Sequence, residues 1–193
     1  MVVFYSLLFE MPMRSIQQVN SEKLCLLITT KGQFIYFVLY KWNNNKPVVI
    51  GSLTARTRLK TCGMWQMETV AAEKNYGPLM YDLILSYTEQ PLMADPTSVK
   101  PAAKAVWHHM FEDESKYVMV KKTNPNDCTS FIPDSGLMAG YGIKIKQPVD
   151  YSVLQKNHKQ VLAKVLGDKV LGEQEFINLL IKKGDQYFEM RHV

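Results

Sequence analysis

The chain has 193 residues and a formal charge of +5, from 23 basic and 18 acidic side chains. Hydrophobic residues make up 47% and charged ones 21%, the balance of a folded domain, which excludes a disordered chain. The charge excess is local: residues 1–60 carry eight basic side chains against Glu10 and Glu22, whereas the remainder is close to neutral. Those basic residues are interleaved with Leu, Ile, Val, Phe and Tyr, which excludes a histone-like tail.

The opening stretch, MVVFYSLLFEMPM, is apolar but has no basic lead and is interrupted by Glu10, so it is a poor signal peptide. Residues 24–30 and 33–41 are rich in β-branched, aromatic and aliphatic residues, with Lys31-Gly32 between them. That pattern predicts a hairpin. Asn43, Asn44 and Asn45 predict a second turn, because Asn tolerates left-handed backbone angles. Strands over 47–56 and 63–72 complete an antiparallel meander. The longest apolar run, Phe34 to Tyr40, is far short of the roughly 20 residues a membrane helix needs.

The period then changes. Leu79, Met80, Leu83, Ile84 and Tyr87 recur on one helix face, with Pro78 in the first turn. Residues 91–94 form a short apolar strand. Val99, Ala102, Ala103, Val106, Trp107, Met110 and Phe111 mark a second helix, with Thr97 or Ser98 as its N-cap. Residues 117–121 predict another strand. Residues 123–150 are rich in Asn, Pro, Asp and Gly and predict a linker. Two further helical stripes follow from Tyr151, the second ending at Gly184 as a C′ residue. The expected organisation is a core over 1–122, a loop-rich linker over 123–150 and a helical extension over 151–193.

Cys25, Cys62 and Cys128 are an odd number at wide spacing, neither a disulfide framework nor a zinc motif. Free thiols suit a reducing compartment and predict a cytoplasmic protein. Cys62 has no nearby His, which argues against a nucleophile. His108 and Glu112 stand at i, i+4 and lack an evident third metal ligand, so they read as a solvated helix end.

The segment MWQMETVAAEKNYGPLMYDLIL, residues 64–85, runs from strand through loop to helix. A helix start exposes backbone N–H groups at the positive end of the dipole, a ready phosphate site. Gly77 permits close approach or a positive φ angle. On these residues alone the junction is equally a packing turn.

The order of elements resembles the GNAT family of N-acetyltransferases. More narrowly, Ala71-Ala72, Tyr76 to Asp82, Leu92 to Asp95, Ser98 to Trp107 and Asp127-Cys128 look like the GNAT-like proteins that some bacteriophages encode. The resemblance implies an α+β fold, a mixed and mostly antiparallel central sheet flanked by helices. It implies acetyl-CoA as cofactor, held by Val70, Lys74, Asn75, Tyr76, Gly77 and Leu79, and an amine acceptor. It places Glu68 as a general base; Tyr117 is, apart from the resemblance, a candidate general acid near the site; on the residues alone a solvent-facing carboxylate and an ordinary strand aromatic are the simpler readings. Lys74 stands where the family has Gln or Arg, Leu79 where it has a small residue, and Pro78 removes one amide. The acidic Tyr of many members has no counterpart among Val106, Trp107 and His108. A catalytically inactive scaffold that binds a host protein is the alternative.

Arg56, Arg58 and Lys60 alternate, so on a strand they share one face. That ridge suits nucleic acid or another anion, or guards a solvated edge strand.

Overall fold

The structure is a computed structural model and describes residues 16, 19, 21–57, 64–94, 99–121 and 140–191. Strands β1 (Cys25–Lys31), β2 (Phe34–Asn43), β3 (Lys46–Thr57) and β4 (Trp65–Ala72) form the expected antiparallel meander. Its turns are set by left-handed residues. Gly32 has φ 60° between β1 and β2, and Asn44 and Asn45 have φ 47° and 58° between β2 and β3. Two consecutive left-handed residues match the twist of the strands they join.

Helix α1 (Gly77–Thr88), strand β5 (Leu92–Met93), helix α2 (Pro101–Glu112) and strands β6 (Tyr117–Lys121) and β7 (Tyr141–Ile145) follow. Helices α3 (Ser152–Gly167) and α4 (Glu173–Arg191) end the described chain. The seven strands make one sheet in the order β1-β2-β3-β4-β5-β7-β6. Every pairing is antiparallel except β4 with β5. The architecture is therefore α+β, a mixed and mostly antiparallel sheet flanked by four described helices.

Both faces of the meander are buried, which explains its continuous apolar runs. Leu26, Phe37, Leu39 and Leu53 pack with Leu79, Met80, Leu83 and Ile84 of α1. Their strand neighbours Leu27, Val38 and Tyr40 pack on the other face with Val165, Phe176 and Leu180 of α3 and α4. Alternation thus feeds two cores at once.

Four expectations are corrected. Residues 141–145, within the segment read as a linker, form β7, which pairs with both β5 and β6. The glycine read there as a turn signal serves close packing: a Cβ on Gly142 would lie 2.9 Å from the Leu92 carbonyl oxygen. The residues read as a helical extension are helical, and α3 and α4 pack on the second face of the sheet. Gly184 lies inside α4, where a Cβ would come within 2.7 Å of Ser52 Oγ and 3.2 Å of Val38. Helix α2 is capped by Lys100, in extended conformation, because the residue before a proline is held out of the helical region. Thr97 and Ser98 lie outside the described residues, as do the opening stretch through Met13, Arg58, Lys60, Cys62, Asp95, Asp127 and Cys128.

A polar contact in the core helps to seat α3. The Tyr40 hydroxyl meets His158 Nδ1 at 2.8 Å, and the imidazole stacks on Phe176 at 6.3 Å and 10°. Burial pulls the His158 pKa below its ordinary value.

Two expectations follow. Gly142→Ala forces β7 against the Leu92 carbonyl and lowers the unfolding free energy by about 1–3 kcal/mol in urea denaturation. Because the folded state disfavours the imidazolium, stability is present above the unfolded pKa of about 6.5 and is lost as pH falls below it. Urea denaturation between about pH 7 and pH 5 shows a steeper loss in the wild type than in His158→Gln, which removes the titrating ring.

Candidate functional site

β4 is the strand on which the site is built. It runs beside β3 from Trp65 to Ala72, but the register jumps: Thr54 faces Thr69 and Ala55 faces Met67. Glu68 is the extra residue of a β-bulge. A bulge leaves its residue outside the ladder and re-aims the side chain. On the other side β4 meets β5 only through Trp65 with Leu92 and Gln66 with Met93. From Met67 to Ala72 no described strand lies on that side.

A cleft opens at this parting. A cavity of about 460 Å³ is walled by Val70, Ala71 and Ala72 of β4, Gly77 and Tyr81 of α1, Lys100 before α2, Ala102, Ala103 and Val106 of α2, and Arg191 of α4. A smaller one of about 120 Å³ adjoins it, walled by Met67, Glu68, Thr69, Trp107 and Phe188 among others. Val70, Tyr81, Lys100 and Ala103 line both. The larger volume lies within the ordinary range of small-molecule sites, about 300–1,000 Å³.

Local sequence explains the opening. The apolar stripe of α2 is not all core: Trp107, Met110 and Phe111 are buried, whereas Ala102, Ala103 and Val106 face the cavity. Small side chains on that stripe leave the space that larger ones would fill. Gly77 acts likewise, because a Cβ built on it meets nothing within 4 Å. The left-handed residue of the loop is Asn75, with φ 76°, and not Gly77.

Of the residues singled out from the sequence, Glu68, Val70 and Gly77 come together in the cleft. Lys74 is exposed. Tyr76 and Leu79 are 6% and 1% exposed, and both pack in the core. The Tyr76 hydroxyl donates to Glu22. Tyr117 is on β6, and its hydroxyl donates to Asp82 Oδ1 at 2.6 Å. Burial and the adjacent Asp82 carboxylate push the Tyr117 phenol far up, so it holds its proton. Lys116 Nζ reaches the other Asp82 oxygen at 2.6 Å. This pairing ties α1 to β6 and keeps Tyr117 away from the cleft's named walls.

Glu68 also has a partner. Arg56 of β3 forms an ion pair with it and sits over the Phe34 ring at 6.0 Å. Arg56 is therefore not an uncommitted member of a basic ridge. β3 lies between β2 and β4, so it is not an edge strand either. Cys25 is buried, and desolvation raises its thiol to about 11, which removes it as a nucleophile. Among the described residues no group of three or more His, Cys, Asp and Glu gathers in a metal-binding arrangement.

Sequence reasoning missed Tyr81, Lys100 and Arg191. Tyr81 read as part of a helix start, and only the alanines at 102 and 103 hinted that α2 borders open space. Arg191 arrives from the far end of the chain, which no local pattern signals.

Comparison with protein-family models, with curated proteins and with solved structures finds no match. Among the described residues no helix is long and apolar enough to cross a membrane.

The Asp82 pairing generates a prediction. Asp82→Ala leaves the Tyr117 hydroxyl buried without an acceptor and lowers stability by about 2–4 kcal/mol in urea denaturation. Adding Tyr117→Phe recovers part of that loss, because the orphaned hydroxyl is gone.

Proposed function

We propose that the chain is a GNAT-type protein, akin to bacteriophage-encoded members, that binds acetyl-CoA in the cleft between β4 and α2 and transfers the acetyl group to an amine. One observation carries this reading: β4 bulges at Glu68 and parts from β5 beside a cavity whose wall includes Gly77, within the segment 74–79 whose sequence resembles the family's cofactor loop. The cavity's volume, the open space at Gly77 and the nearby Lys100 and Arg191 are compatible with an anionic, elongated thioester.

Bound acetyl-CoA supplies an acyl group already activated as a thioester. The chain's part is to hold it and the amine together, which is where most of such a rate enhancement arises. The bulge at Glu68 re-aims this part of β4, and in this reading a backbone N–H of the strand is what would meet a developing oxyanion. A bound thioester would supply an acyl carbon open to the amine's nitrogen, its carbon–sulfur bond giving way as the amide bond forms, with coenzyme A leaving as a thiolate that in the end takes up the one proton released. Glu68, through a water, receives the proton the amine gives up, once Arg56 shares or releases it. The side chains of Tyr76 and Leu79 lie in the core and contribute little to holding the cofactor.

A second reading has its own support. Glu68 is paired with Arg56 and Tyr117 with Asp82, so both carboxylate and phenol are engaged within the fold. That arrangement suits an inactive scaffold that presents its surface to a host protein.

Calorimetric titration with acetyl-CoA separates the two. The enzyme reading expects a Kd on the order of micromolar and an acetylation rate against a panel of amines that falls in Glu68→Gln while binding is kept. Absence of binding at millimolar acetyl-CoA overturns it in favour of the scaffold.

A further inference from the structure

Tyr81 stands out among the buried polar groups. It is 1% exposed, and its hydroxyl has no hydrogen-bond partner. A buried hydroxyl left unpaired is costly, and such groups mark places where something else completes the bond. Trp107 stands edge-on to the Tyr81 ring, with centroids 5.5 Å apart at 79°. Burial pushes the Tyr81 phenol up and the Trp107 indole offsets only part of that, so the hydroxyl keeps a proton to share. The hydroxyl oxygen is itself enclosed, and no group meets it in hydrogen-bond geometry.

The position of this side chain gives the orphan its meaning. Tyr81 lines both the larger and the smaller cavity and so marks where they adjoin. The walls on either side differ. The larger cavity has Lys100 and Arg191 among otherwise apolar neighbours, and Arg191 is laid over the Tyr187 ring at 5.2 Å. The smaller has Glu68, Trp107 and Phe188.

We infer that the two cavities form one cleft for an elongated ligand with anionic groups at one end and a carbonyl near its middle, and that Tyr81 donates a hydrogen bond to that carbonyl while Lys100 and Arg191 meet the anionic end. This rests on the acetyl-CoA reading and deepens it, since acetyl-CoA carries phosphates at one end and amide and thioester carbonyls along its arm. Tyr81 is then a substrate-contacting residue. Its donor comes from the helix after the fourth strand, where the sequence offered no tyrosine on the helix after the fifth. The phosphates are met from the α2 and α4 side, where Lys100 and Arg191 line the cavity, and Pro78 of the loop has no amide to give.

Wild type, Tyr81→Phe and Lys100→Ala/Arg191→Ala are titrated calorimetrically with acetyl-CoA, and each is melted without ligand. Tyr81→Phe is expected to bind about tenfold more weakly with an unchanged or higher Tm, because it removes an unsatisfied hydroxyl and keeps the ring. The double variant is expected to bind about tenfold or more weakly, with a shallower salt dependence. If Tyr81→Phe binds as tightly as wild type, the hydroxyl is not a ligand donor and the inference is overturned, while the acetyl-CoA reading stands. Unchanged affinity in the double variant overturns the anionic end in the same way. If the wild type itself binds no acetyl-CoA, both readings fall together.

Discussion

The fold depends on a contact two residue pairs long. β4 and β5 run parallel, and they pair only through Trp65 with Leu92 and Gln66 with Met93. The Trp65 amide adds a hydrogen bond to the Pro91 carbonyl at 2.9 Å. Parallel strands need a crossover, and here α1 supplies it. The β5–β7–β6 half of the sheet is joined to the meander at this seam, and Asp82 of α1 reinforces it by taking Tyr117 and Lys116 from the far edge. Where the pairing stops, α1 and α2 hold the two halves apart and the cleft exists. A longer ladder would close it.

Buried polar groups divide according to their distance from that seam's function. Asp82 is only 5% exposed, yet both carboxylate oxygens have partners, so its burial stabilises a unique docking of α1 on β6. Gln66, at the seam itself, is fully buried with neither amide atom paired, and the buried Tyr81 hydroxyl beside the cleft is unpaired as well. A folded chain tolerates few such groups, and two of them flank the place where the strands part. Polar pairing is thus complete at Asp82, while the unpaired groups lie near β4.

The second layer makes the site larger than the first 122 residues alone. Phe188 and Arg191 of α4 reach the cleft only because Phe176 and Leu180 anchor that helix against Val38 and Tyr40. Gly184 permits the close approach, since any side chain there would strike Ser52 and Val38. The C-terminal helices therefore complete the sheet's second face and supply one wall of the cleft in the same stroke.

The sequence by itself determined the elements of the first half. The apolar runs, Lys31-Gly32 and the paired asparagines define the meander, because strand period and left-handed turn residues are local properties. The i, i+3, i+4 stripe similarly located α1 and α2, and it drew attention to the loop at 73–77. Local pattern failed where the reason for a residue lies across the fold. Gly142 and Gly184 read as turn and cap, yet each is a glycine because another element passes too close for a Cβ. Tyr117 read as a candidate acid, yet Asp82, 35 positions earlier, holds its hydroxyl. Glu68 read as a base or as a solvent-facing strand residue, and its ion pair with Arg56 of the neighbouring strand was not visible in the sequence. Only the tertiary structure decided these, because which groups satisfy one another, and which hydroxyl is left unpaired at Tyr81, depends on contacts between distant segments that no spacing along the chain encodes.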